Sequence, residues 1–256
     1  KLISKKNPRS LLPNALTIFG VCLGLSSIKF ALDTNYAMAI IAIGFAAILD
    51  TLDGRVARII KGTSKVGKEL DSLTDVISFG VAPGFIMYFW TLNEIGKFGW
   101  MLVLIYTVCC VLRLARFNLT VIEENELWKI NFFEGVPSPA AAGLVLLPLI
   151  LNLSGLVQFE NYAVLSSVAI LATSILMISK IPTYSLKRIL IPRNLAIFLL
   201  LGIGVYVSLI IFYTFETLFV TGLIYIILIP ISFFHFRYLN KKSLISTHEE
   251  ETEDVL

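Results

Sequence analysis

Four aspartates dominate the chemistry available to this chain. Residues 50 to 75 read DTLDGRVARIIKGTSKVGKELDSLTD, with Asp50, Asp53, Asp71 and Asp75 at the ends of two strongly apolar runs. Ionisable groups near membrane-length apolar segments are costly and face an interior or wet cavity, where they pair or do work. In a helix, Asp50, Asp53 and Ala57 share one face with Gly54 beside them, and so do Asp71 and Asp75, because side chains three and four positions apart stack over each other. The intervening KGTSKVGK stretch, polar and with two glycines, predicts a break that reverses the chain and turns the two carboxylate pairs toward each other. Such a box of hard oxygens suits Mg²⁺ or Mn²⁺ rather than zinc, since no His or Cys is near. Two ions held about 4 Å apart would neutralise a pyrophosphate and stabilise the charge that develops during displacement at phosphorus. Gly54 and Ala57 leave room for a ligand beside the backbone. Ion pairs with Arg55, Arg58, Lys65 and Lys68 would be a purely structural use of the carboxylates, but would leave the small residues unexplained. His235 and His248 lie far from this segment, so histidine catalysis is not expected.

The elements that must position these groups are membrane helices. Of the 256 residues 57% are hydrophobic and 15% charged, against about a quarter charged in soluble domains, and the mean hydropathy is +0.83. Apolar windows predict eight spans, near 12–32, 36–59, 72–91, 98–117, 139–153, 161–179, 194–213 and 217–236. The fold class expected is therefore all-α, a polytopic helical bundle. With a cytoplasmic N-terminus, every Lys and Arg except Lys29 and Lys97 falls on the cytoplasmic side, which supports an even number of spans and two cytoplasmic termini. The basic start, with Lys1, Lys5, Lys6 and Arg9, then precedes a first span rather than a cleaved signal. Residues 1–11 form a cytoplasmic segment, 12–240 one transmembrane domain, and 241–256 an acidic tail whose like charges predict disorder.

The net charge of +3 does not indicate a nucleic-acid partner, because the basic residues are scattered through the gaps between apolar runs. Cys22, Cys109 and Cys110 lie inside apolar runs without metal-ligand spacing and are expected to be small buried hydrophobes. Gly20 and Gly24, and likewise Gly80 and Gly84, make GxxxG pairs, which serve packing within a bundle or a homodimer.

The pattern DxxDGxxAR, eight residues, Gly, three, Asp, three, Asp resembles the signature of the CDP-alcohol phosphotransferase family, and Asp50, Asp53, Gly54, Ala57, Arg58, Gly67, Asp71 and Asp75 match it without a departure. The resemblance implies a six-helix catalytic core among the spans, with a CDP-linked lipid and divalent metal, two ions of Mg²⁺ or Mn²⁺, bound at the cytoplasmic face. It implies that Asp50, Asp53, Asp71 and Asp75 hold the metals, and that Asp75 also takes the proton of the attacking alcohol. Ala57 and Gly67 belong to the same signature, and Gly54, Arg58 and Ser64 match positions that contact CDP-diacylglycerol. Arg58 suits a phosphate physically, since its fork donates two charge-assisted hydrogen bonds. Asn14 and Thr17, in PNALT, match a family position near the nucleotide; a helix cap is their other use.

The acceptor rests on segments outside the signature. DSLTDVISFGVAPGF, RLARFN and FEGVPSPAAAG are similar to the branch of that family whose acceptor is L-serine. Together with the signature, this resemblance runs from about Asn14 to Gly143. Arg113, Arg116 and Asn118 end the fourth span on the side of the aspartates, and Arg113 and Arg116 share a helix face. They can bind a serine carboxylate, or anchor the helix at lipid headgroups. Glu134, Ser138 and the prolines of EGVPSP shape a pocket or start the fifth span. The rival acceptors are glycerol 3-phosphate and an inositol compound, whose phosphate would need further cations; a metal-ion transporter is the rival from another class.

Overall fold

The computed structural model describes residues 11–60, 65–119, 132–184 and 193–253. The chain is an all-α polytopic membrane protein, with α1 (Leu11–Leu32), α2 (Tyr36–Ile59), α3 (Lys65–Asp75), a π-helical turn (Val76–Val81), α4 (Ala82–Trp90), α5 (Lys97–Leu119), α6 (Ser138–Ser154), α7 (Tyr162–Ile178), α8 (Arg193–Phe212) and α9 (Thr214–Glu253). Among the described residues five stretches are long and apolar enough to cross a bilayer, Leu12–Leu32, Tyr36–Ile59, Val66–Trp90, Lys97–Leu119 and Thr214–Asn240; three shorter apolar helices occupy the other expected spans. The third stretch starts six residues before the expected 72. Polar side chains in KVGKELDSLTD do not break it, because most are adequate helix formers, so Asp71 and Asp75 sit within a helix rather than at its start.

These elements fall into two compact units. One contains α1 to α7, six membrane-scale helices once α3, the π turn and α4 are counted as a single rod. The other contains α8, α9 and two short strands, β1 (Phe132–Glu134) and β2 (Pro182–Tyr184), paired antiparallel with Phe132 opposite Tyr184. This small sheet leaves the class all-α; three-residue pairings carry too little alternation to be read from sequence. The rings of Phe132, Tyr184, His235 and Phe236 pack over it. The segment expected to be disordered from 241 is helical through Glu253: Glu and Lys are good helix formers, and like charge alone does not interrupt the backbone bonds.

Within the first unit, α1 and α2 form a tight helical hairpin. The Asn35 side chain caps α2 by accepting from Met38 N, and Asn35 N donates to Phe30 O at 2.8 Å. The inward face of α1 is made of small residues, with Thr17, Ser27 and Ala31 nearly inaccessible, while Ile18, Phe19, Leu25 and Leu32 point outward. Such inversion suits a helix whose outer solvent is lipid, where close backbone approach replaces the hydrophobic effect as the driving force. Cys22 belongs to this outer face and is exposed, contrary to expectation, whereas Cys109 and Cys110 are buried. A Cβ at Gly24 would lie 2.9 Å from Ser78 Cα, and Ser78 Oγ donates to Gly20 O. A Cβ at Gly80 would meet Cys110 Sγ at 3.0 Å, and one at Gly84 would meet Val103. Gly24, Gly80 and Gly84 are thus used in packing within the chain rather than in a dimer face.

The π turn has a local cause. Pro83 has no N–H to return to Phe79 O, four residues earlier. Ala82 N reaches back five residues to Ile77 O, and the buried Tyr106 hydroxyl donates to Phe79 O at 2.6 Å. The distortion begins immediately after Asp75, in keeping with the frequent occurrence of π turns at functional sites.

Close packing at Gly24 generates a stability test. Gly24→Ala is expected to lower the melting midpoint in detergent, since overpacking costs about 1–3 kcal/mol. Gly44→Ala, whose Cβ would meet nothing within 4 Å, should leave it unchanged or raise it by about 0.5–1 kcal/mol of helix propensity. Equal responses in the two variants would refute the packing argument.

Candidate active site

The second half of α2 and the body of α3 bring the four aspartates together in the first unit. Carboxylate oxygens of Asp50, Asp53 and Asp71 lie within 4.8 Å of one another. Asp53 is 4% exposed. The Asp50 side chain interacts with those of both Asp71 and Asp75, and Asp75 Oδ1 is buried without a hydrogen-bond partner among the described residues. Buried charges persist only when paired or bound to a cation. Among the described residues, Arg55, Arg58 and Lys68 form no ion pair with these carboxylates; Arg55 and Arg58 are exposed, and Arg58 Nε donates to Gly54 O of its own helix. An all-oxygen donor set with an orphaned buried acceptor fits hard divalent cations, and Asp50, Asp53, Asp71 and Asp75 are the residues that would hold them.

Beside this cluster, α2 continues with small and basic residues. Gly54 is exposed and a Cβ there would meet nothing within 4 Å, so this flank of the helix is open. Ala57 is half-buried and Arg58 projects outward; Gly67 is half-buried in the first turn of α3. Ser64 lies outside the described residues. Asn14 is half-buried on α1, and Thr17 is buried one turn later. Neither caps a helix, because α1 already begins at Leu11. The Thr17 hydroxyl lies 2.6 Å from Asp53 Oδ2 and 3.0 Å from Pro13 O.

The two arginines at the end of α5 have different surroundings despite their shared face. Arg113 is 7% exposed, donates from Nη1 to the fully buried Ser138 Oγ, stands with its guanidinium 5.8 Å from the Phe117 ring centre, and acts electrostatically on Asp50 and Asp75. Arg116 instead donates to Ile178 O at 2.8 Å, satisfying a carbonyl at the C-terminus of α7 that the helix leaves open. Asn118 Nδ2 donates to Ser72 Oγ at 2.9 Å, tying the end of α5 to the helix that carries Asp71 and Asp75. Arg113 and Arg116 thus have different neighbours, because an offset of about 60° on the helix is enough to separate them. Ser138 opens α6, with Pro139 in its first turn, and holds Arg113. Glu134 is on β1 in the other unit. Ser72 and Tyr106 had no signal in the sequence beyond their type, since their roles depend on which helix faces them.

Carboxylates that would hold divalent cations, together with a buried guanidinium, suit displacement at a phosphoanhydride. Residues 10–179 match the CDP-alcohol phosphatidyltransferase family. Several curated relatives are named CDP-diacylglycerol–serine O-phosphatidyltransferase. The protein from Mycobacterium leprae is 35% identical over 245 residues, covering 95% of this chain and 79% of its own length. The Helicobacter pylori protein (strain 26695) is 38% identical over 194 residues, 76% of this chain and 79% of that protein. The Mycobacterium tuberculosis protein (strain H37Rv) is 40% identical over 191 residues, 74% of this chain; the match spans 66%, about two thirds, of that protein's length. With the family matched across the whole of the aspartate cluster and both flanking helices, this chain is a member of the CDP-alcohol phosphatidyltransferase family.

Proposed function

We infer that this chain transfers the phosphatidyl group of CDP-diacylglycerol to the hydroxyl of L-serine, releasing CMP. The observation that carries this reading is the buried Asp75 Oδ1, without a hydrogen-bond partner among the described residues, beside three further carboxylates and within electrostatic reach of Arg113. The names of the curated relatives support the choice of donor and acceptor. Bound divalent cations would supply charge neutralisation for the pyrophosphate of the donor and for the leaving nucleotide.

The chain's own residues would do the rest. Asp75 accepts the proton of the serine hydroxyl as its oxygen forms a bond to the phosphorus that carries diacylglycerol. The anhydride bond to the second phosphate breaks, and its electron pair leaves with CMP. Arg113, desolvated and held in place by Ser138, is the group suited to the serine carboxylate, because a buried guanidinium forms strong charge-assisted bonds. The open flank at Gly54 and Ala57, together with Arg58, Gly67, Asn14 and Ser64, would receive the CDP end of the donor. The distribution of Lys and Arg supports an active site at the cytoplasmic face, both termini on that side, and a membrane domain over 12–240.

Three outcomes test this reading. Asp75→Asn, nearly identical in size, is expected to lower turnover by about 10²- to 10⁴-fold while the KM for CDP-diacylglycerol stays near that of the parent; near-normal turnover by folded protein would remove Asp75 from the role of base. Exhaustive chelation should abolish product formation, followed by mass spectrometry of the lipid, with recovery on adding Mg²⁺ or Mn²⁺ but not Zn²⁺; full activity after chelation would exclude the metal. Arg113→Ala should raise the KM for serine about thirtyfold, corresponding to about 2 kcal/mol for a lost charge-assisted pair, whereas Arg116→Ala, which loses a bond to the α7 carbonyl, should leave it unchanged. An unaltered serine KM in the Arg113 variant would defeat this assignment.

A further inference from the structure

The place of Thr17 in PNALT matches a family position near the nucleotide. Its surroundings describe a different task. The residue is 4% exposed, as is Asp53, and its Oγ1 stands 2.6 Å from Asp53 Oδ2. The hydroxyl has one proton and two acceptors within reach. Pro13 O, at 3.0 Å, is also the acceptor that helix geometry assigns to the Thr17 amide. An ionised carboxylate attracts the proton more strongly, and 2.6 Å falls in the range of charge-assisted O–H···O⁻ bonds. The proton therefore belongs to Asp53.

A carboxylate held at one oxygen cannot turn freely about its Cβ–Cγ bond. The hydroxyl thereby restrains a carboxylate with an oxygen within 4.8 Å of those of Asp50 and Asp71. The height of Thr17 along α1 is set by contacts one and two turns away. Ser78 Oγ donates to Gly20 O, and Gly24 rests against the Ser78 backbone with no space for a methyl group. The docking of α1 on the third helix therefore delivers the hydroxyl to Asp53.

We propose that Thr17 is a positioning residue of the cation site, acting through Asp53 rather than by touching the donor lipid. The proposal rests on the reading of Asp53 as a metal ligand. Ligand-orienting hydrogen bonds of this kind are worth about 10- to 100-fold in metal affinity. Thr17→Val keeps the shape of the side chain and deletes the hydroxyl; Thr17→Ser restores it.

Mn²⁺ binding to the full-length protein in nanodiscs, measured by electron paramagnetic resonance without donor or serine, is the direct readout. Thr17→Val is expected to weaken it by about 10- to 100-fold, and Thr17→Ser to stay within about threefold of the parent. At saturating Mn²⁺ the KM for CDP-diacylglycerol should be the same in all three. If valine lowers the yield of folded protein, Thr17→Ala provides the same comparison. Unchanged Mn²⁺ binding in the variants lacking the hydroxyl overturns the proposal, as does a raised donor KM with Mn²⁺ affinity intact, which would return Thr17 to the nucleotide. Asp53→Asn separates the two levels: if it weakens Mn²⁺ binding and Thr17→Val does not, only the role of Thr17 fails, whereas unchanged binding in Asp53→Asn removes the ligand on which the proposal stands.

Discussion

Carboxylates crowded together in a low-dielectric interior repel one another and lose hydration, and this constraint governs the rest of the first unit. Asp50, Asp53 and Asp71 approach within 4.8 Å with Asp75 against Asp50, an arrangement that is unfavourable for the protein alone and favourable around a multivalent cation. Stability given up at such a place is characteristic of function: the site is organised for what it binds rather than for its own rest state.

Bringing like charges together requires a scaffold that does not yield. The scaffold is provided by small residues and by shared backbone acceptors. Gly24 on α1 and Gly80 in the π turn remove side chains where helices must touch, and Ser78, Tyr106 and Thr107 donate to backbone carbonyls of the neighbouring helix. Because lipid gives little hydrophobic advantage to helix association, this close packing and these hydrogen bonds hold the unit together. Pro83 couples the two themes, since the carbonyl it leaves without a helical donor is the one that Tyr106 takes up.

Arg113 is the complementary element. It is the buried cation that α5 turns toward the cluster, and Ser138 at the first turn of α6 restrains it. Guanidinium and carboxylates are thereby brought to the same place by three different helix pairs: α1 with α2, α2 with α3, and α5 with α6. A phosphatidyl transfer needs this combination of proton acceptor, anion recognition and charge neutralisation, and none of the three pairs provides it alone.

Sequence alone determined the membrane character, the apolar segments and the aspartate cluster. The first two follow from hydropathy, which is local, and the third from the three- and four-residue spacing that puts Asp50 with Asp53 and Asp71 with Asp75 on common helix faces. The helical start of the third span at Val66 and the π turn follow from helix propensity and from Pro83, which hydropathy does not report; the three-residue strands were not legible, because their pairing depends on hydrogen-bond partners far away in the chain. The same holds for the side chains around the site. Spacing set Arg113 and Arg116 on one face, yet only the positions of α6 and α7 directed one to Ser138 and the other to Ile178 O. Thr17 and Asp53 are 36 residues apart, and nothing local to either predicts their hydrogen bond. Tertiary packing decided it, by pressing α1 against the third helix at Gly24 and so fixing the height at which the Thr17 hydroxyl meets the carboxylate.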